Sequence, residues 1–240
     1  MPAIKDQAIV LRRLDYSETS QVLVFLTRLH GQQRLIGKGL KRSTKKKFSV
    51  GIDLLERGHV VFLFSTRQEG KLGTLTEWFQ DEAHLGLRGD LGCWYAAQYA
   101  AEITAAMTEE ADPHPDLFDA LSELLRSLCE DGDTRTRVIH YQRALLRSVG
   151  LWPNLTQCVV CGRQAPPHRA AYYSAQQGGL VCRRCQPTQL ETRTVPAAVL
   201  TALREDDLTD STSKAVLELL DYTISQILAV SYTHLTLPTN

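Results

Sequence analysis

The sequence contains no apolar run long enough to cross a membrane, and residues 1–6 lack the apolar stretch of a signal peptide. These absences predict a cytoplasmic protein that has no membrane partner. The composition, 43% hydrophobic and 22% charged, is that of an ordinary globular protein and not of a disordered one. A chain of 240 residues is long enough to form two or three small domains.

Motifs of the common enzyme classes are also missing. No GxxxxGK[ST] phosphate-binding loop occurs, and Gly37-x-Gly39 is too short for a dinucleotide fingerprint, so ATP use has no support. The seven histidines are scattered, and none lies in an HExxH or HxE…PCxxC arrangement. The acidic pairs at 109–110 and 206–207 lie beside predicted helix ends, where carboxylates act as solvated caps. We therefore predict a protein that is not an enzyme.

Cysteine is scarce, but four of the six cysteines form two Cys-x-x-Cys pairs. Cys158 and Cys161 form the first pair, and Cys182 and Cys185 form the second, 20 residues farther on. This spacing is typical of four thiolates around one zinc ion, in a closed site that has no open position for a substrate. We predict one structural Zn²⁺ per chain. The alternatives are two disulfide bonds, which need an oxidising compartment, or a redox-active pair.

The first third of the chain has the pattern of short β-strands. The predicted strands are residues 7–11, 21–26, 33–36, 59–64 and 71–76. Five strands in this span predict a small barrel, with Gly31 in a hairpin turn and a long loop between the third and fourth strands. This layout fits an OB-fold. An SH3-like barrel is the alternative, because periodicity does not reveal strand order.

The remaining sequence changes to helical patterns. Residues 91–107 and 117–128 favour two helices, Thr134 can cap a third, and residues 196–203 and 213–230 favour two more. The predicted fold class is therefore α+β, with a five-stranded OB-fold barrel followed by an all-helical domain that contains an inserted four-cysteine zinc module. The predicted boundaries are 1–80 for the nucleic-acid-binding barrel, 81–155 and 189–230 for the helical domain, and 156–188 for the zinc module.

Two smaller expectations concern the helical part. Cys93 and Cys129 lie in predicted helices, where we expect them to be buried as small hydrophobic residues. Residues 231–240 break the helical pattern abruptly, and we interpret them as a non-native tail.

Charge is distributed unevenly, although the formal net charge is zero. Residues 1–50 contain 11 Lys or Arg against 3 Asp or Glu, and the rest contains 16 against 24. Such asymmetry predicts a polyanionic partner for the N-terminal part. Most of the positive charge lies in a loop after the third strand that contains no acid. Its candidate DNA-binding residues are Lys38, Lys41, Arg42, Lys45, Lys46 and Lys47.

This basic loop predicts contacts with phosphates, without base readout and with an affinity that falls as salt rises. On an OB-fold it would flank the groove where single strands lie. Arg12, Arg13 and Arg34, on adjoining strands, would extend the positive face. Tyr16 or Phe48 would stack on bases, and the alternative for both is a packing role. A merely solvated loop is the alternative.

Several segments resemble those of one known family, the bacterial RecO DNA-repair mediators. The segments are DYSETS at 15–20, Gly31, IGKG at 36–39, LLRSVGL at 145–151, PNL at 153–155 and CVVCG at 158–162. The resemblance extends over roughly residues 4–230. Within it, Lys38 matches the family's Gly-Lys-Gly position, whereas residues 17–20 are interpreted as a structural turn.

The resemblance implies an OB-fold, a helical domain and a zinc module, without catalytic activity. It implies a DNA repair and recombination mediator of the RecF pathway that binds single- and double-stranded DNA and anneals complementary strands. The implied partners are RecR, the single-stranded-DNA-binding protein and, indirectly, recombinase RecA, and the implied location is the bacterial nucleoid.

Annealing requires basic surface beyond the barrel. Arg183 and Arg184, between the second pair of cysteines, are the candidates, and a solvated pair is the alternative. Two other function classes stay open at this point: a zinc-containing RNA-modifying or nuclease enzyme, and a zinc-ribbon scaffold that binds only protein. The enzyme would need acid–base groups or an open metal position, and the scaffold would show no salt-sensitive oligonucleotide binding.

Overall fold

The computed structural model describes residues 3–40, 51–63, 72–130, 132–166 and 168–235. The chain forms two compact units, which divide between Arg137 and Val138. Within the described ranges, no helix combines the length and the apolar character needed to cross a membrane.

The first unit begins with a closed five-stranded barrel. Its strands are β1 (Ile4–Asp15), β2 (Gln21–Thr27), β3 (Gly31–Gly37), β4 (Arg57–Leu63) and β5 (Gly73–Glu82). The hydrogen-bonded order is β1-β2-β3-β5-β4, with β4 paired back to β1 and β3 parallel to β5. This strand order, with its parallel β3–β5 pair, confirms the predicted five-stranded OB-fold barrel.

The barrel interior is filled by large apolar side chains from several strands. Leu23 and Phe25 of β2, Phe62 of β4 and Trp78 of β5 are almost completely buried. The rings of Phe25 and Trp78 have centroids 5.3 Å apart. Each buried side chain of this size stabilises the folded state by about 1.5–3 kcal/mol. The strands therefore hold their outward-facing residues in defined positions.

A β-bulge divides β1 into two halves. Val10 is opposite Phe25 and Arg12 is opposite Val24, so Leu11 is the extra residue of the bulge. If Leu11 were instead paired in a regular ladder, the alternation of side chains that places Val10 in the core would place Arg12 in the core as well. The bulge therefore places Arg12 on the outer face.

Two helices complete the first unit after a short 3₁₀ helix (Leu85–Gly89). They are α1 (Leu91–Met107) and α2 (Pro115–Leu128). The Thr108 hydroxyl donates to the side-chain oxygen of Gln32 at 3.1 Å, and the Ala111 N–H donates to the Gln32 carbonyl at 3.1 Å. Gln32 belongs to β3, so these bonds hold the chain that leaves α1 against the barrel.

The expectation that Cys93 and Cys129 are buried is wrong. Cys93 is half-buried and Cys129 is exposed. On α2 the buried stripe includes Leu121, Leu125 and Leu128, and the next residue, Cys129, is the C-terminal cap. One step along a helix turns a side chain by about 100°, so Cys129 falls off this stripe.

The second unit contains a small antiparallel sheet and helices. Its elements are most of α3 (Thr134–Ser148), then β6 (Ala171–Ser174), β7 (Gly179–Val181), β8 (Arg193–Val195), α4 (Ala197–Glu205) and α5 (Asp210–Leu235). The sheet has the order β7-β6-β8. The Tyr173 hydroxyl lies 2.7 Å from the Thr223 hydroxyl, which fixes β6 against α5.

Three details differ from the sequence prediction. The carboxylate of Asp133 accepts the backbone N–H of Arg135 at 3.1 Å, so the cap of α3 lies one residue before Thr134. β8 was not predicted, because a three-residue strand shows no periodicity. α5 continues to Leu235, so the helix does not break at residue 231, and residues 236–240 lie outside the described ranges.

Candidate metal centre and nucleic-acid interface

The four cysteines lie in two tight turns of the second unit. In the first turn the Gly162 N–H donates to the Cys158 carbonyl at 2.9 Å, and in the second the Cys185 N–H donates to the Cys182 carbonyl at 2.9 Å. The hairpin of β6 and β7 separates the two turns along the chain. The Cys182 N–H donates to the Cys158 sulfur at 3.3 Å, so the backbone itself joins the two turns.

The first turn approaches the hairpin so closely that a glycine is required. The Leu180 N–H donates to the Asn154 carbonyl at 2.9 Å. A Cβ at position 179 would lie 2.5 Å from that carbonyl oxygen and 2.8 Å from the side chain of Val159. Gly179 therefore permits the contact that aligns the two cysteine turns.

The four sulfur atoms of Cys158, Cys161, Cys182 and Cys185 all lie within 4.8 Å of one another. The Cys161 and Cys182 sulfurs are 3.8 Å apart, far longer than the roughly 2 Å of a disulfide bond. A separation of about 3.8 Å is also the edge of a tetrahedron whose metal–sulfur bonds are about 2.3 Å long. The residues present thus fit a metal ion with four thiolate ligands.

The thiols of this cluster differ in how readily they ionise. Burial opposes ionisation of Cys158, but backbone N–H groups of Cys182, Cys161 and Val160 outweigh it and lower its pKa to about 6. At Cys185, hydrogen bonding with Cys182 and then burial raise the pKa to about 12. Four thiolates at these distances repel one another, and a bound cation would neutralise part of their negative charge.

The outer face of the barrel carries a row of three residues. Arg12 on β1 is opposite Val24 on β2, which is opposite Arg34 on β3. This row lines a groove of about 640 Å³ together with Gln32 and Leu14. The second and third strands of OB-folds form the face that binds oligonucleotides, so the row lies where a strand of nucleic acid would be held.

Carboxylates lie beside both arginines of the row. A guanidinium nitrogen of Arg12 is 3.6 Å from a carboxylate oxygen of Glu102, and one of Arg34 is 3.5 Å from Glu110. Glu102 belongs to α1 and Glu110 follows it, so the contacts of Gln32 with this segment bring both acids to the groove. The predicted positive face is therefore partly neutralised by two carboxylates, Glu102 and Glu110, that are distant from the barrel strands in sequence.

Arg13 is held differently. It is opposite Leu23 in the sheet, at the edge of the groove, and its guanidinium donates to one oxygen of Asp53 at 2.8 Å. The other oxygen of Asp53 accepts a hydrogen bond from Arg88 at 2.8 Å. Arg13 is thus part of a bridged cluster of charges, and its role in DNA binding stays a prediction.

The described residues include only part of the predicted basic loop. Lys38 is exposed, and Tyr16 is 67% exposed at the end of β1. In the turn that follows, the Ser20 N–H donates to the Ser17 hydroxyl at 3.1 Å, the type of bond expected of a structural turn. That residues 17–20 have only this structural role stays a prediction. The predicted residues that lie outside the described ranges are Lys41, Arg42, Lys45, Lys46, Lys47 and Phe48.

Arg183 and Arg184 are exposed on the second cysteine turn. They belong to a longer basic stretch that is not visible when the charges of residues 51–240 are counted together. Residues 134–190 contain eight arginines and no lysine, aspartate or glutamate. A search for acid-free windows in the sequence would have drawn attention to this stretch, including Arg163 and Arg169, which the sequence analysis did not single out.

Two family models match the chain. The model described as "Recombination protein O N terminal" matches residues 1–79, and the one described as "Recombination protein O C terminal" matches residues 88–235. The chain belongs to the RecO family. The family boundary falls just after β5, where the barrel ends.

RecO proteins of several bacteria are similar to this chain over most of its length. "DNA repair protein RecO" of Rhodopirellula baltica is 32% identical over 199 residues, which are 82% of this chain and 73% of the relative. That of Bacillus subtilis is 32% identical over 181 residues, or 75% and 68% of the two chains. That of Myxococcus xanthus is 30% identical over 204 residues, or 85% and 81%. This chain is therefore a RecO-family DNA repair protein.

Proposed function

We propose that this RecO-family protein is a non-enzymatic mediator that binds single- and double-stranded DNA and anneals complementary strands without ATP. The observation that supports this most directly is that each unit has its own basic region. The first has the row of Arg12 and Arg34 beside Lys38, and the second has the acid-free stretch that contains Arg183 and Arg184. Neutralising two phosphate backbones on one protein lowers the repulsion between complementary strands.

Within the first unit, Lys38, Arg12 and Arg34 would contact phosphates, and Lys41, Arg42 and Lys45 to Lys47 would add to the same surface. Arg13 would contribute less, because Asp53 already holds its guanidinium at 2.8 Å. Residues 1–80 would act as the nucleic-acid-binding domain. Exposed Tyr16 supports sequence-tolerant stacking of a base at the edge of this surface.

The cysteine cluster would hold one zinc ion through the sulfurs of Cys158, Cys161, Cys182 and Cys185. Four protein sulfurs complete the tetrahedral coordination of zinc and leave no position for water or substrate. The ion would therefore stabilise the module at 156–188, between the two parts of the helical domain, and take no part in bond breaking. This closed ligand set favours a mediator over a zinc-containing nuclease or RNA-modifying enzyme.

Family membership supports the partners of this proposal. They are RecR and the single-stranded-DNA-binding protein, with indirect assistance to loading of recombinase RecA in the RecF pathway at the bacterial nucleoid.

The test is strand annealing in the absence of ATP. Two complementary oligonucleotides, one with a fluorophore and one with a quencher, are mixed with the protein, both bare and coated with the single-stranded-DNA-binding protein. We expect accelerated quenching that slows as salt rises, because the contacts are with phosphates. A rate equal to that of the free strands would contradict the proposal, and shortened or chemically altered strands would favour the enzyme alternative.

A further inference from the structure

The metal module contains a basic pocket to which no role has been assigned. The pocket has a volume of about 560 Å³ and is lined by three exposed arginines, Arg163, Arg169 and Arg183. They belong to three segments: the end of the first cysteine turn, the loop before β6, and the second cysteine turn. The described lining of this module pocket contains no Asp or Glu, but it does include two of the clustered cysteines, Cys158 and Cys182.

The floor of the module pocket includes one face of the small sheet. Tyr172 on β6 is opposite Val181 on β7 and Thr194 on β8, and all three line the pocket. The next residue, Tyr173, points to the other face, where its hydroxyl contacts Thr223. Tyr172 is half-buried, so part of its ring surface faces the pocket while the sheet fixes its backbone.

The arginines of the module pocket have no acidic counterpart nearby in sequence. Residues 134–190 contain no Asp or Glu, so the flanking acids are Asp133 and Glu191. The ion pairs of the described part of the second unit join Arg143 and His140 to Asp206, and they include none of the three pocket arginines. Four thiolates around one divalent ion would carry a net charge of about −2, which offsets only part of the charge of three arginines. An anionic ligand would offset the rest.

The cysteine turns hold two of these arginines in place. The Cys158 N–H donates to the Arg163 carbonyl at 2.8 Å, which closes the first turn around Arg163. Arg183 directly follows Cys182, whose N–H donates to the Cys158 sulfur. Their backbones are therefore positioned by the same contacts that assemble the sulfur cluster, so the pocket is shaped before a ligand arrives.

We propose that the module pocket binds one nucleotide unit of a single strand of nucleic acid, an inference that rests on the proposed DNA-binding function. The arginines would hold the phosphates, because a planar guanidinium matches phosphate oxygens in a bidentate manner. The base would lie on the ring of Tyr172 and the aliphatic floor, a contact that every base can make. A pocket of a few hundred Å³ is of the size that encloses a ligand as large as a nucleotide.

The geometry separates two neighbouring arginines that look equivalent in sequence. Arg183 lines the module pocket, whereas Arg184, equally exposed on the same turn, does not. Arg183→Gln and Arg184→Gln thus make the same change of charge one residue apart. Only the first removes a group that faces the proposed nucleotide.

The experiment titrates a fluorescently labelled (dT)15 with the metal-loaded protein and its variants at several salt concentrations. We expect Arg183→Gln to weaken binding about three- to tenfold and to lower the salt slope by about one. Arg184→Gln, in the same basic stretch but outside the pocket lining, should weaken binding less than about twofold. Tyr172→Leu should weaken binding without changing the slope, because stacking involves no counterions. Arg169→Gln, in the loop before β6 and away from both cysteine turns, serves as the second charge variant if Arg183→Gln disturbs the metal content.

A cross-link on the unaltered protein completes the test. A (dT)15 that carries one 5-iodouracil should form a photo-adduct at Tyr172, located by peptide mass spectrometry. Equal losses in Arg183→Gln and Arg184→Gln, or adducts confined to other residues, would overturn the pocket while leaving DNA binding intact. Absence of salt-dependent (dT)15 binding by the wild type would instead overturn the proposed function. A synthetic acidic peptide that binds the wild type but not Arg183→Gln, with (dT)15 binding unchanged, would assign the pocket to a protein ligand and overturn the inference.

Discussion

The arginines of the barrel face and those of the metal module differ in what surrounds them. Arg12 and Arg34 lie 3.6 and 3.5 Å from carboxylates, whereas the described lining of the module pocket has three arginines and no Asp or Glu. A phosphate that binds the two barrel arginines must displace a carboxylate from each of them. A phosphate that enters the module pocket displaces no carboxylate, although the sulfurs of Cys158 and Cys182 line the same pocket. The attraction that an exposed arginine exerts on a phosphate therefore depends on the groups that surround it.

The largest expected effect comes from breaking the metal centre. Cys161→Ser should remove the bound zinc and disorder residues 156–188, because metal binding contributes on the order of 10 kcal/mol to local folding. The barrel should stay folded, since its core contains no residue of the module. Metal analysis, with limited proteolysis to locate the disordered segment, measures both effects. Cys129→Ser, at an exposed thiol outside the cluster, is the control, and a globally unfolded Cys161→Ser protein would contradict the separation of the two regions.

The next effect concerns the basic loop of the first unit, most of which lies outside the described residues. Reversing Lys45, Lys46 and Lys47 to Glu should weaken binding to all single-stranded sequences alike and lower the salt slope by about 2–3. Affinities for several unrelated oligonucleotides, each measured over a range of salt, provide the test. An unchanged slope would mean that the loop is only solvated.

A smaller effect in the opposite direction sharpens the contrast between paired and unpaired arginines. Glu102→Gln/Glu110→Gln should increase single-strand affinity about two- to tenfold, because each exposed ion pair opposes phosphate binding only modestly. The control is Glu123→Gln/Glu130→Gln, which makes the same change of charge around Arg126, on α2 and just past its end. If both double variants raise the affinity equally, net charge is the cause and the neighbouring carboxylates have no specific role.

The smallest effect is a pH dependence confined to the barrel. Burial is the main cause that raises the pKa of Glu56 above its ordinary value. As pH rises past roughly 4.5, the unfolded chain loses this proton before the folded one, so ionisation favours unfolding. Glu56→Gln should therefore flatten the loss of stability between mildly acidic and neutral pH, measured by urea unfolding. An unaltered pH profile in Glu56→Gln would count against the effect.

The sequence predicted the parts of the molecule that depend on local spacing. Two Cys-x-x-Cys turns need only their own backbone bonds and one close contact, so the sequence correctly predicted that the four cysteines come together. Zinc as their ion stays a prediction. The five strands of the barrel and the five α-helices were also recognised from their periodicity, with shifts of their ends, whereas β8 was not.

What the sequence did not predict depends on contacts between distant segments. The neighbours of Arg12 and Arg34 are acids about 90 and 76 residues farther along the chain, brought there through Gln32. The module pocket needs arginines from three segments around one sheet face. The sequence shows that residues 134–190 contain no Asp or Glu. It does not show that three arginines of this stretch line one pocket, because that depends on the fold.

The bulge at Leu11 has a consequence for any attempt to transplant the barrel surface. Leu11 carries no polar group and is 1% exposed, yet Arg12 stays on the outer face only because Leu11 is left out of the regular pairing with β2. Copying residues 10–12 into a barrel that pairs all three of them in a regular ladder would direct a cation into the apolar interior. Deleting Leu11 would instead make Val10 and Arg12 consecutive residues on opposite faces, so the guanidinium would stay outside. A designer who transplants this face must therefore transplant the bulge or omit Leu11.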